Sequence, residues 1–161
     1  MKHHAAGRPI ALLLMAVSIA CQYDPFTHEF TRVKPTAEDL IGQYELDNES
    51  IEMLRRHDLP KPASRFVLQG DGTFTMSDVP TCWREVFECS LDLESAKGTW
   101  QVVKENEWWV VRLHLTKIQS KTTDYGMVAH VRGDHTPRLL HFAVGDPDAG
   151  QALAFRKLQV P

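Results

Sequence analysis

Apolar and polar positions in this chain alternate far more often than they recur at helical spacing. After one unbroken run of apolar and small residues at Ile10–Ala20, short alternating runs bounded by Gly, Pro, Asp and Asn continue to the C-terminus. Such runs read as half-buried strands between turns. They predict strands at 43–47, 65–69, 73–77, 98–104, 108–115, 127–132, 138–144 and 151–158. Helical spacing occurs once, through Ile51, Met53, Leu54 and Arg55, with Asn48 or Ser50 as the cap and Pro60 as the stop. Thr36 and Asp39 have the spacing of a reciprocal cap, which predicts a helical turn to Leu40.

Turn chemistry fixes two hairpins. Gly70-Asp71-Gly72 separates Arg65–Gln69 from Thr73–Ser77, and an Asp-Gly pair supplies the positive φ of a tight hairpin. Asp71 stands without the alternating ligands of a calcium loop, so it reads as a turn residue. Glu105-Asn106 is the predicted turn of the second hairpin. That register pairs Val102 with Trp109 and places Trp100, Val102, Trp109, Val111 and Leu113 on one apolar face. Val79–Ser95 reads as a long crossover loop, Ile118–Tyr125 as a polar loop and Gln22–Pro35 as a tether that could dock through Phe26 or Phe30.

Strands joined mostly by short turns give an antiparallel meander. Closing it removes the exposed edges, so the expected fold is all-β with one short helix, an up-and-down barrel of about eight strands. A two-sheet β-sandwich is the alternative. The expected organisation is a leader at 1–20, a tether and helical turn at 21–39, and one β-domain at 40–158.

The leader alters the charge balance. Two of the 18 basic residues, Lys2 and Arg8, lie within it, and all 21 acidic residues lie beyond it, so the mature net charge is −5. Nucleic-acid binders show the opposite bias, so no nucleic-acid partner is expected. A basic start and a short apolar run have the form of a secretory signal, and no second run reaches the roughly 18 residues of a membrane span.

Two readings of the junction compete. Ser18 and Ala20 satisfy an ordinary signal peptidase cutting before Cys21. Ile19-Ala20-Cys21 resembles the bacterial lipobox, with the departure that Ser18 stands where an aliphatic residue is usual. The resemblance implies acyl chains on Cys21. Gln22 after the cysteine, by resemblance to enterobacterial lipoproteins, implies the outer membrane, facing the periplasm. Secretion as a soluble protein is the alternative.

Cysteine parity bears on the choice. With Cys21 acylated, Cys82 and Cys89 remain as an even pair, close enough in sequence to form a disulfide. The spacing is not a metal motif.

Chemistry-bearing patterns are sparse. No GxSxG, phosphate loop or HxxxH occurs. His114, His130 and His141 fall in predicted strands and would converge inside a barrel only in particular registers. Asp146 and Asp148 flank Pro147 in a turn. Trp83, Trp108 and Trp109 are candidate pocket residues, with Trp109 better placed for the core and Trp108 on the opposite face. A structural role is expected for each, with no catalytic residue, metal or cofactor.

Gly42-x-Tyr44-x-Leu46, Leu68-x-x-Asp71-Gly72-Thr73-Phe74, Cys82-Trp83, Gly98-Thr99-Trp100 and Gly145-Asp146-Pro147-Asp148-x-Gly150 together resemble small uncharacterised bacterial envelope lipoproteins with a lipocalin-like β-domain. These are turn and core signals, so the resemblance implies a fold. Copper-linked lipoproteins of similar pattern carry a CxxC that is absent here, so metal sensing is not implied. The expected function is that of a membrane-anchored envelope lipoprotein, non-enzymatic, whose β-domain serves protein interaction or structure. The alternative is a lipocalin-like binder of a small apolar ligand.

Overall fold

Gly72 adopts φ 80° and the Asp71 carboxylate accepts a 2.9 Å bond from Thr73 N, which locks the first hairpin with Leu68 opposite Phe74. This Asx turn is what the Asp-Gly pair requires. The computed structural model describes residues 24–59, 62–84, 92–136 and 138–159. Its elements are β1 (Gly42–Leu46), β2 (Arg65–Leu68), β3 (Thr73–Pro80), β4 (Leu93–Glu105), β5 (Trp108–Ile118), β6 (Lys121–Arg132), β7 (Leu139–Ala143) and β8 (Ala152–Lys157). A helical turn, α1 (Ala37–Leu40), precedes β1, and a helix, α2 (Asn48–Arg56), follows it. Every strand is antiparallel to its sequence neighbours, and β8 returns to β1 with Phe155 opposite Leu46, closing the barrel. The sandwich alternative is thereby excluded.

The interior is filled by the chain itself. Tyr44, Phe66, Phe74, Phe142, Phe155 and Leu113 are essentially inaccessible. Phe66 and Phe142 each meet Phe155 edge-on at 5.7 and 5.9 Å between ring centroids. Such T-shaped contacts are the favoured aromatic geometry. Both ends are plugged. The odd-numbered connections, which begin after β1, lie at one end, where Met53 and Leu54 of α2 and Trp83 are buried. At the other end α1 buries Leu40. Thr36 and Asp39 form the predicted capping box. The cap of α2 is Asp47, which accepts from Ser50 N, rather than Asn48 or Ser50, because β1 ends there in extended backbone.

Three connections differ from expectation. The β4–β5 turn is Asn106-Glu107, with Glu105 opposite Trp108 and Val102 opposite Val111. Asn106 takes φ 53°, a left-handed value that Asn tolerates better than Glu. A register shift of two preserves which residues share a face. The expected polar loop after Ile118 is instead a tight turn at 119–120, and β6 already begins at Lys121. Most of 121–126 is exposed, so no burial imposes alternation on it. The expected crossover loop from Val79 is shorter, because β3 runs to Pro80 and β4 starts at Leu93. Glu94 hides that strand in the sequence. It is a buried acid facing inward, held by the Arg84 guanidinium through Nε at 2.7 Å.

The expected tether is also corrected. From Asp24 to Val33 the chain is a strap packed along the outside of the barrel. Phe30 bridges to Arg132, Thr31 N donates to Val131 O at 2.8 Å, and Trp109 N donates to Thr31 O at 3.0 Å. The strap thus fills the gap between the start of β5 and the end of β6. Docking through Phe30, which is buried, follows from this.

Candidate functional site

The strap covers a patch of the outer wall whose composition is unusual for a surface. In an antiparallel pair the directly opposed residues share a face. His130 of β6 lies opposite Val110 of β5 on one side and His141 of β7 on the other, so the three form one outer row. Val110 and His141 are buried beneath the strap. Phe30 lies flat on His130, with centroids 4.2 Å apart and planes 9° from parallel. It meets Trp108 edge-on at 5.9 Å and His141 at 5.2 Å. Phe26 packs on His141 at 5.0 Å and beneath the Arg132 guanidinium at 4.4 Å.

Charge around the patch is paired. Arg132 donates from Nε and Nη2 to Glu29 of the strap at 3.0 and 2.6 Å, with Glu49 of α2 3.7 Å away. The Asp24 carboxylate is 3.6 Å from His141 Nε2. Neither ring nitrogen of His141 has a hydrogen-bond partner among the described residues, and Trp108 Nε1 also lacks one. Burial, with Arg132 and His130 nearby, pushes the His141 imidazole down to about 3. Burial lowers His130 as well. At His130 desolvation of the charged form outweighs the pull of Asp24 and Glu105. At neutral pH they are uncharged rings acting as packing surface under the strap.

Beside the strap, a groove of about 390 Å³ opens between α2 and β8. Phe26, Met53, Ala152 and Ala154 supply its apolar walls, and Arg56 and Glu52 lie on its rim. A second groove, of about 640 Å³, lies at the α1 end, against Ile41, Trp100 and Val102.

The structure relocates several residues singled out in the sequence. The three strand histidines do not converge inside the barrel. His130 and His141 meet on the outer wall, and His114, exposed farther along β5, faces Asp124 at 3.5 Å. Trp83 is core. Trp108 lies under the strap, and Trp109 is half-buried below Lys34. Asp146 accepts from Asp148 N and so caps the 3-10 turn at Pro147–Ala149, a structural role. Cys82 is buried. Cys21 and Cys89 lie outside the described residues, and with them the lipid site and the second member of the expected bridge. Among the described residues no group of three His, Cys, Asp or Glu is placed to hold a metal, and no helix is long and apolar enough to cross a membrane.

The sequence pointed to Phe26 and Phe30 as docking residues but not to the extended strap that carries them, because the two phenylalanines sit in an aperiodic stretch. The one available signal was their spacing of four beside Pro25 and Pro35. No protein-family model, curated protein or solved structure matches the chain.

Proposed function

We propose that this chain is a bacterial envelope lipoprotein, acylated at Cys21, whose solid β-barrel is a non-enzymatic scaffold for a protein partner in the periplasm. The observation that carries the scaffold reading is the filled interior. Tyr44, Phe66, Phe74, Phe142 and Phe155 occupy the space that a ligand carrier of this strand number would leave open. Recognition then belongs to the surface. The anchoring reading rests on the lipobox-like Ile19-Ala20-Cys21 and on cysteine parity, which leaves Cys82 and Cys89 to bridge. Cys82 is buried, as a structural half-cystine commonly is.

A carrier of a small apolar ligand is the second reading. It would use the groove walled by Phe26, Met53, Ala152 and Ala154, since the barrel core is occupied.

Fractionation of the native host carrying Cys21→Ala tests the anchor. The wild-type protein should sediment with membranes and the variant should not be processed to the acylated form. Unchanged processing with unchanged membrane association of the variant would overturn the proposal.

A further inference from the structure

The position of the strap determines which side of the barrel a lipid anchor would hold against the membrane. The strap is docked from its first described residue. Asp24 O accepts from Thr27 N at 3.0 Å, Asp24 Oδ1 accepts from Phe26 N at 2.8 Å, and its second carboxylate oxygen faces His141. Pro25 packs so closely on Gly150 that a Cβ there would lie 2.9 Å from Pro25 Cγ. The chain therefore reaches the barrel beside the β7–β8 turn. From there it climbs the wall through Phe30 at the end of β6 to α1 at the opposite end.

Only Gln22 and Tyr23 separate Cys21 from Asp24. Three residue steps span about 10 Å even when fully extended. An acylated Cys21 would thus lie within that reach of the β7–β8 turn.

We infer that the mature protein sits directly on the bilayer surface, with the β7–β8 turn and the neighbouring α2 groove facing the lipid headgroups and the α1 end directed away. This rests on acylation at Cys21. The orientation comes from the short attachment. Charge does not drive it: this side carries Asp146, Asp148, Glu49 and Glu52 alongside Arg55 and Arg56, so no basic surface draws it to anionic lipid. The α1 end, with Trp100 and Val102 in its groove, faces the aqueous space.

Quenching by headgroup-bound spin label tests this on the full mature protein purified from its host and reconstituted in phosphatidylethanolamine–phosphatidylglycerol vesicles. A fluorescent amino acid is incorporated at exposed position 148 in the β7–β8 turn or, in a second variant, at exposed position 104 near the β4–β5 turn. Intact mass of the same samples reports acylation. With acyl mass present, several-fold stronger quenching at 148 than at 104 is the expected result, and equal or reversed quenching overturns the orientation. A flexible Gly/Ser insertion of about twelve residues after Gln22 adds roughly 20 Å of r.m.s. span and should erase the difference. Persistence of the difference in that variant would show that surface attraction sets the orientation and would overturn the short-attachment account. Absence of acyl mass, with no vesicle binding, overturns the anchor itself and with it this inference.

Discussion

Phe30 of the strap lies flat on the imidazole of His130, ring centroids 4.2 Å apart, and so fastens a segment outside the meander to the barrel wall. Phe30 is buried against His141 and Trp108 as well. Phe30→Ala should cost about 3 kcal/mol, the range for deleting a buried aromatic ring. Urea unfolding followed by tryptophan emission checks this. Trp108 should also become more solvated in the folded variant. A stability loss below about 0.5 kcal/mol, the usual range for exposed positions, would mean that the strap is not packed as described.

His141 makes the fold acid-sensitive. Its folded value of about 3 lies below the ordinary 6.5, so between those values the unfolded chain holds a proton that the folded chain does not. Its stabilising contribution is whole above pH 6.5 and falls as the pH drops towards 3. At about 1.4 kcal/mol per unit, roughly 2 kcal/mol is lost by pH 5. His130 shifts in the same direction and adds to the loss. Denaturant midpoints at pH 7 and pH 5 should differ more for the wild type than for His141→Leu. Equal differences would refute the assignment.

Gly98 sits at the β4–β5 bulge where no Cβ fits. A Cβ there would lie 1.9 Å from His114 O, which is backbone and cannot swing away. Gly98→Ala must open the ladder, and expression of soluble protein should collapse. Near wild-type melting of this variant would contradict the packing at the bulge. Gly126→Ala is the control, because a Cβ there meets nothing within 4 Å.

The expected bridge between Cys82 and Cys89 has a direct chemical readout. Thiol reagent applied to the unreduced, denatured mature protein should modify neither cysteine. Replacing both by Ala should cost about 2.5 kcal/mol on the loop-entropy account for so short a loop. Modification of both without reductant would remove the bridge.

The barrel was legible from the sequence because its turns carry their own chemistry. Asp71-Gly72 could only be a tight turn, and the apolar alternation on either side then set the faces. The Trp100, Val102, Val111 and Leu113 face survived a one-residue error in the turn, because moving the turn by one residue shifts the pairing by two and leaves every side chain on its side. Polar stretches were less legible. Lys121–Gly126 is strand through pairing with β5 and carries no burial pattern of its own. Glu94 faces inward only because Arg84 reaches it across the β3–β4 connection, and that pairing is tertiary. The outer patch depended on the β6–β7 register, since only direct opposition of His130 and His141 creates a surface that Phe26 and Phe30 can cover. At the turn between those two strands, Arg138 donates to Gly133 O and Asp134 O.

Intact mass of the mature protein from the membrane fraction of its native host tests the central claim most directly. The account predicts a chain beginning at Cys21 with the added mass of acyl chains. A chain beginning at Cys21 without that mass, or one retaining the first twenty residues, would contradict it.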